Sequence, residues 1–152
     1  MDEVVTAKAR NSGVNLLSYR ARSVEELKKG LLKKGYPHDV CDRVVAEMIY
    51  SKLLDDRKYA LDFASMRRDR GFGRIKVSSE LVDRGVERNL VDQAIDEIFT
   101  ADDEYKTAVA LIQRRLKNDP TLDQKAYRKH SNFLRNRGFK TDTILKAMES
   151  LT

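Results

Sequence analysis

A basic residue followed by glycine recurs three times at nearly constant spacing, and this recurrence constrains the fold more than any other feature of the sequence. The three glycines stand 50 and 53 residues apart. Each has a leucine four positions before it and an apolar residue directly after it. This pattern is typical of a helix that ends in a left-handed glycine, with the following residue packed back on the leucine. We therefore predict three copies of one unit, marked by Lys34-Gly35, Arg84-Gly85 and Arg137-Gly138 with the flanking pairs Leu31 and Tyr36, Leu81 and Val86, and Leu134 and Phe139.

Apolar residues with helical spacing lie on both sides of each glycine, so each unit is predicted to contain a helix before the glycine, a helix after it, and a third helix that precedes the pair. In the first unit only the short stretch from Val14 to Tyr19 can supply the third helix. The predicted fold is all-α, with three tandem three-helix repeats at residues 12–52, 53–100 and 101–152 after an N-terminal tail of residues 1–11. Because a unit of about 50 residues buries little surface alone, we expect the repeats to share cores in an elongated, curved array.

Local signals mark where several of these helices begin. Ser23 with Glu26, and Thr121 with Gln124, have the spacing of a capping box. Gly30 falls inside a predicted helix, where glycine costs about 1 kcal/mol relative to alanine, and close packing is the only reason we find for it. A further start is predicted at the acidic pair Asp55-Asp56.

The charge balance favours an anionic partner. The formal net charge is +6, and residues 101–152 carry 11 basic against 7 acidic side chains. The single cysteine, Cys41, fits a reducing compartment, and there is neither a membrane-length apolar run nor a secretory signal pattern. These features predict a cytoplasmic protein without membrane association, and nothing in the sequence indicates an obligate oligomer, so we expect a monomer.

Catalytic patterns are missing from the sequence. There is no phosphate-binding loop, nucleophile elbow or paired-histidine metal motif. His38 and His130 each lack a second ligand at metal-binding spacing, and Cys41 takes the place of an apolar core residue in the repeat. We therefore predict a binding protein rather than an enzyme, with no cofactor and no metal.

Two runs of basic residues are the candidate contact surface. Arginine and lysine beside aromatic rings can follow a phosphate backbone and stack on bases, although a basic run can equally be a solvated helix face. The first run spans residues 67–76 around Phe72, and the second spans residues 125–140 with Tyr127, Phe133 and Phe139. With Arg84 added, the candidate residues are Arg67, Arg68, Arg70, Arg74, Lys76, Arg84, Lys125, Arg128, Lys129, Arg135, Arg137 and Lys140.

A helix–glycine–helix unit also invites comparison with helix-turn-helix DNA readers, in which the second helix enters the major groove. Charge argues against this interpretation. The helix after Gly35 carries Asp39, Asp42 and Glu47 against Arg43 alone, and the helix after Gly85 has the same excess of two acids. An anionic partner is therefore expected to meet the helices before the glycines, and operator binding is disfavoured.

The ordered motifs of the chain resemble the RecX family. They are Ser23-x-x-Glu26-Leu27 leading to Lys34-Gly35, Leu54-Asp55-Asp56-Arg57-x-Tyr59-Ala60, Gly73-x-x-x-Val77-x-x-Glu80-Leu81, Arg84-Gly85-Val86 and Arg137-Gly138-Phe139. The likeness covers residues 12–151. Gly30, Lys52 and Arg74 depart from the usual family pattern, and we interpret these departures as local changes of helix geometry.

The resemblance implies three three-helix repeats and a specific protein partner. RecX proteins bind the recombinase RecA, typically along the groove of its filament on single-stranded DNA, and restrain filament growth, ATP hydrolysis and strand exchange. The implied role is regulation of homologous recombination, DNA repair and the SOS response. We hypothesise that the two basic runs and Arg84 form the contact face, with direct DNA contact possible. Two alternatives remain open at this point: a nucleic-acid-binding module that acts without RecA, and an adaptor for another protein in which the basic faces are only solvated.

Overall fold

The computed structural model describes residues 3–151, which form nine α-helices and no β-strand. The helices group in threes along the chain, so the predicted all-α fold of three tandem three-helix units is confirmed. We call residues up to 52 unit 1, residues 53–100 unit 2 and the remainder unit 3. The helices are α1 (Glu3–Tyr19), α2 (Val24–Lys33), α3 (His38–Tyr50), α4 (Asp56–Asp69), α5 (Arg74–Asp83), α6 (Arg88–Ile98), α7 (Ala101–Asn118), α8 (Gln124–Asn136) and α9 (Thr141–Glu149).

Each unit has a hydrophobic core of its own. Leu27, Leu31 and Val44 are fully buried in unit 1, and Val77 and Leu81 are fully buried in unit 2. The third cluster is built on Ile112, Leu134 and Met148. The expectation of shared cores was therefore wrong, because three helices close over their own apolar faces in each unit.

The predicted N-terminal tail of residues 1–11 is also corrected by the structure, because α1 already begins at Glu3. Thr6, Ala9 and Gly13 form the buried face of this helix. A Cβ on Gly13 would lie 2.7 Å from the Cε of Met48, so small residues here permit close packing on α3. The search for large apolar residues missed this face. Residues 1 and 2 lie outside the described part of the chain.

The glycine helix ends are as predicted. Gly35, Gly85 and Gly138 have φ angles of +95°, +84° and +94°. In each case the amide of the following residue donates to the carbonyl of the leucine in the last turn, as from Tyr36 to Leu31 at 3.3 Å. Gly71 ends α4 with φ +88° in the same manner, a fourth case that the sequence spacing did not reveal.

The helix starts were predicted in part. Ser23 and Glu26 form the expected capping box, and Asp55 caps α4 by accepting from the Lys58 amide. The box proposed for Thr121 and Gln124 was wrong, since Asp123 is the residue that caps α8. Gly30 now has a packing reason: a Cβ there would lie 3.0 Å from Leu16 Cδ1 on α1.

The middle helices of the units, α2, α5 and α8, follow one another end to end. The Ser23 hydroxyl at the start of α2 donates to the Arg84 carbonyl at the end of α5. At the next junction the Gly73 amide donates to the Arg137 carbonyl at 2.8 Å, and the Ile75 amide donates to the Gly138 carbonyl at 3.0 Å. The starts of α2 and α5 thus satisfy carbonyls left unpaired at the ends of α5 and α8, which joins the units in series.

Candidate functional site

The junction between units 2 and 3 brings the two basic runs together. The guanidinium of Arg137, from the second run, donates to the Arg70 carbonyl at 3.1 Å. The same guanidinium lies over the ring of Phe72, with its Cζ 4.6 Å from the ring centroid. Residues separated by more than sixty positions in the sequence therefore share one surface, because α5 and α8 meet end to end.

Arginines and aromatic rings alternate across this junction. Phe72 lies between Arg67 and Arg137, with the Arg67 Cζ 3.7 Å from its ring centroid. Phe133 lies between Arg137 and Arg115, with centroid distances of 5.2 and 4.1 Å. Such contacts are worth about 0.5–1 kcal/mol each at exposed sites and more when they are desolvated. The row of stacked groups therefore helps to hold units 2 and 3 in one orientation.

An open cleft of about 560 Å³ lies beside this row, between the end of α4 and the outer side of α7. Four basic side chains line it, against the acids Asp69 and Asp103. Two of the four, Arg70 and Arg114, form no ion pair with any residue in the described range 3–151. We call this feature the basic cleft; its four cations are Arg68, Arg70, Lys106 and Arg114.

Arg74, a candidate contact residue, instead belongs to the interior of this junction. Its Nε donates to Glu104 Oε1 at 2.6 Å, and a terminal nitrogen donates to the Phe99 carbonyl at 2.7 Å. Glu104 is only 4% exposed, and its second oxygen has no hydrogen-bond partner among the described residues. The charge of Arg74 is therefore largely occupied in compensating a buried carboxylate.

Arg67 and Arg68 are also engaged within unit 2. Arg67 forms two hydrogen bonds with the carboxylate of Glu80, at 3.1 and 3.0 Å. Arg68 donates to the Ile98 carbonyl at 3.2 Å and pairs with Asp69. Because these arginines already have partners, only part of their charge is available to an external anion.

Arg84 lies at the other junction, between units 1 and 2, away from the basic cleft. It donates to the Tyr59 hydroxyl at 3.0 Å and lies over Phe63, and Tyr59 in turn donates to Glu26 at 3.1 Å. Burial opposes ionisation of Glu26, but the Ser23 amide and Arg20 outweigh it and lower the pKa of this carboxyl. An ionised Glu26 thus holds Arg84 and Tyr59 in a polar contact between the two units.

Most of the remaining candidate residues are exposed, and Lys76 is half-buried. The structure gives them no ion pair with any residue between 3 and 151, although Arg135 donates to the Asn132 side chain at 2.8 Å and Lys76 approaches the Phe72 ring. Their charge is therefore available to an external partner. Five of them cover α8 and the start of α9, namely Lys125, Arg128, Lys129, Arg135 and Lys140.

The sequence reasoning overlooked the basic end of α7. Arg114 and Lys117 are exposed in its last turns, and Arg115 stacks on Phe133 while donating to His130 Nδ1 at 3.1 Å. The signal was present as three basic residues among five consecutive positions. It was missed because only the apolar residues of α7 were used to predict this helix.

The reactivity of the cysteine thiol and the grouping of possible metal ligands can be described for residues 3–151. Burial, followed by the nearby Asp42 carboxylate, raises the pKa of the Cys41 thiol, which keeps it protonated and poorly nucleophilic. Across residues 3–151, no three His, Cys, Asp or Glu side chains are grouped so that they could hold a metal ion. The described helices include none with the length and apolar character to cross a membrane.

Each of the three units matches a domain of known proteins. Models of the first, second and third three-helix domains of RecX match residues 9–48, 55–95 and 102–148. The crystal structure of RecX from Lactobacillus salivarius superposes with a TM-score of 0.86 at 21% identity, covering 97% of this chain and 96% of that one. This structural likeness establishes the fold.

Sequence relatives named as the regulatory protein RecX extend the comparison. The chain is 29% identical to the Chlorobaculum tepidum protein over 150 residues, 98% of this chain and 91% of the relative. It is 31% identical to the Bacillus velezensis protein, but spans only 54% of that longer relative. Identity to the Prosthecochloris aestuarii protein is 30%, covering 99% of this chain and 98% of the relative. With three domain models matched in order and a relative matched along nearly its full length, the chain belongs to the RecX family of regulatory proteins.

Proposed function

We propose that the protein regulates homologous recombination and the SOS response by binding RecA filaments on single-stranded DNA and restraining filament growth, ATP hydrolysis and strand exchange. Membership of the RecX family carries this proposal. A series of three units gives an elongated surface that can contact several neighbouring subunits of a filament. Binding that is tighter to one filament state than to another shifts the population toward that state without any catalytic step. The proposal places a monomer in the cytoplasm.

The exposed cations of unit 3 support a contact with the phosphate backbone. Arg128, Lys129 and Arg135 lie on α8 and have no acidic partner within the described chain. The basic cleft adds Arg70 and Arg114, which are similarly free. Lysines and arginines that neutralise phosphates release counterions, so each such contact makes the affinity more sensitive to salt.

The test replaces the α8 cations and measures binding to RecA filaments assembled on single-stranded DNA. The triple variant R128A/K129A/R135A should bind about tenfold or more weakly, since each lost charged contact costs on the order of 1 kcal/mol. Its helical circular-dichroism spectrum should be unchanged, because all three side chains are exposed. The matched control is K8A/R57A/K58A, which removes three exposed cations outside the middle helices α2, α5 and α8. Equal binding by both variants would remove the α8 surface from the proposal.

A nucleic-acid-binding module that acts without RecA is the second candidate, favoured by Arg70 and Arg114 of the basic cleft, which form no ion pair among residues 3–151. It predicts a strongly salt-dependent affinity for bare single-stranded DNA, with no gain when the DNA is coated with RecA. The RecA proposal predicts tighter binding to the coated form. An adaptor for a different protein would be indifferent to both.

A further inference from the structure

A second surface on unit 2 differs in character from the basic face. It is an open groove of about 570 Å³ between α5 and α6, which we call the α5–α6 groove. Ile75 and Val82 lie along its α5 side and are 54% and 39% exposed. They are seven positions apart, about 10 Å along the helix axis. Between them stand Ser78 and Ser79, whose small side chains leave room for an incoming group.

The hydrophobic core does not require apolar residues at these positions. The core side of α5 is formed by Val77 and Leu81, both fully buried. Counting from the glycine that ends each middle helix, Ile75 and Val82 correspond in unit 3 to Arg128 and Arg135, which are exposed cations.

Unit 1 agrees at the first position, where Glu25 stands in place of Ile75, whereas Leu32 stands in place of Val82 and packs partly buried against the core. Unit 2 alone among the three therefore has apolar residues at both positions. A solvent-facing apolar pair that the fold does not need is characteristic of an interaction surface.

The α6 wall of the groove carries two acids, Asp92 and Asp96, against one base, Arg88, and so has a net negative charge. Asp92 and Asp96 project from α6 with side chains 59% and 78% exposed. Arg74 comes no closer than 3.8 Å to Asp96, and its charge is shared with Glu104 at 2.6 Å. Arg88 faces Asp92 at 3.6 Å in an exposed pair, which compensates weakly. Nucleic acid is repelled by such a wall, whereas lysine or arginine is attracted to it.

We propose that the α5–α6 groove docks a protein segment with two apolar side chains about 10 Å apart and basic residues beside them. That this segment belongs to a RecA subunit rests on the proposed function. The molecule then has two separate surfaces: the α5–α6 groove contacts protein, and the basic face of unit 3 contacts the phosphate backbone. Two such surfaces make binding selective for the filament, because neither bare DNA nor free protein can contact both surfaces at once.

The test compares two double variants that remove the same kinds of side chain. I75S/V82S alters the α5–α6 groove. V14S/I49S is the matched control, because it also removes one valine and one isoleucine from helices, at 47% and 48% exposure. We expect I75S/V82S to bind RecA filaments at least tenfold more weakly than the wild type, while its affinity for bare single-stranded DNA and its thermal midpoint stay unchanged. The control should match the wild type.

The outcomes separate this inference from the proposed function. If the wild type binds filaments and I75S/V82S binds equally well, the α5–α6 groove is not the docking surface, and the RecA proposal stands. If the wild type shows no preference for RecA-coated DNA, the RecA proposal fails, and the identity of the partner falls with it. If both double variants lost binding, the result would contradict the claim that the α5–α6 groove is a specific docking site.

A photo-crosslinker gives an independent readout of what lies in the α5–α6 groove. The variant S79C offers an exposed thiol, whereas the native Cys41 is buried and has a raised pKa, so labelling is selective. On filaments, a probe at position 79 should crosslink to RecA protein, and a probe on R135C should crosslink to DNA. Crosslinking of the position-79 probe to DNA would overturn the assignment of this groove to protein.

Discussion

The carboxylate of Glu104 lies almost completely out of water, and Arg74 is the side chain that compensates its charge. A buried carboxylate that loses its partner is strongly destabilising, although an intact buried pair contributes little net stability. Arg74 was predicted to contact an external partner because it stands in a basic run. A sequence shows the run, but not that the helix thirty positions further on places an acid against it. Arg67 was assigned to the surface for the same reason, and Arg84 was added to the candidate residues although it belongs to neither run.

Replacing Arg74 tests this reassignment. R74A should lower the free energy of unfolding by about 3 kcal/mol, the typical cost of leaving a buried charge uncompensated. The double variant R74A/E104Q should recover part of that loss, since the neutral amide no longer needs a counterion. Urea unfolding at neutral pH measures both. An R74A variant as stable as the wild type would show that Arg74 is not needed to compensate Glu104.

His130 gives a pH dependence of known sign. The pKa of its imidazole is lowered below 6.5, first by burial and then by the charges of Arg115 and Lys129. Asp119 opposes this shift. The unfolded chain therefore takes up a proton near pH 6.5 that the folded protein resists. This group's contribution to stability is complete above pH 6.5 and is lost as the pH falls toward the folded pKa.

The variant H130N isolates this effect, because asparagine keeps an oxygen to accept from Arg115 but takes up no proton. Between pH 7.5 and 5.5 the wild type should lose more unfolding free energy than H130N, by at most about 1.4 kcal/mol for each pH unit. Chemical unfolding at the two pH values measures the difference. Identical losses would show that His130 titrates alike in the folded and unfolded states.

At the level of helices, the features that could be predicted are those set by neighbouring residues. A glycine helix end needs only the glycine, the leucine before it and the apolar residue after it, so all three ends followed from the sequence. The first helix was underestimated because its buried face consists of small residues such as Ala9 and Gly13, which show no apolar periodicity. The end-to-end contacts of α2, α5 and α8 could not be predicted, because they join residues tens of positions apart.

Two glycines with the same backbone conformation separate local from inter-unit effects. G35A should cost about 1 kcal/mol, the strain of a Cβ in the left-handed region, because that Cβ would have no neighbour within 4 Å. At position 138 the added Cβ would lie 2.5 Å from the Lys76 amide nitrogen. G138A should therefore cost a further 1–3 kcal/mol, roughly the price of overpacking.

Thermal or urea unfolding of the two variants gives the comparison directly. Circular dichroism should show the same helical content for both at low temperature. Equal destabilisation by G35A and G138A would mean that the contact between α5 and α8 does not restrain unit 3 in solution.

For the whole molecule, the fold followed from one recurring pattern and the family from an ordered set of motifs, whereas the exposure of the candidate contact residues followed only in part. The basic runs were visible, and α8 does present its cations to solvent. The α5–α6 groove could not be predicted, because Ile75 and Val82 look like ordinary helix residues until the structure shows that they face outward. The proposed separation of a phosphate-binding face on unit 3 from a protein-binding groove on unit 2 therefore depends on the folded array.

The most direct test of the central claim is DNA-stimulated ATP hydrolysis by the host's RecA, measured while this protein is titrated in and with R128A/K129A/R135A as the comparison. We predict that the wild type inhibits hydrolysis at well below one molecule per RecA, as expected for action on filament growth, and that the variant requires a higher concentration. Unchanged hydrolysis across the titration, with filaments verified by electron microscopy, would contradict the claim that this protein regulates RecA.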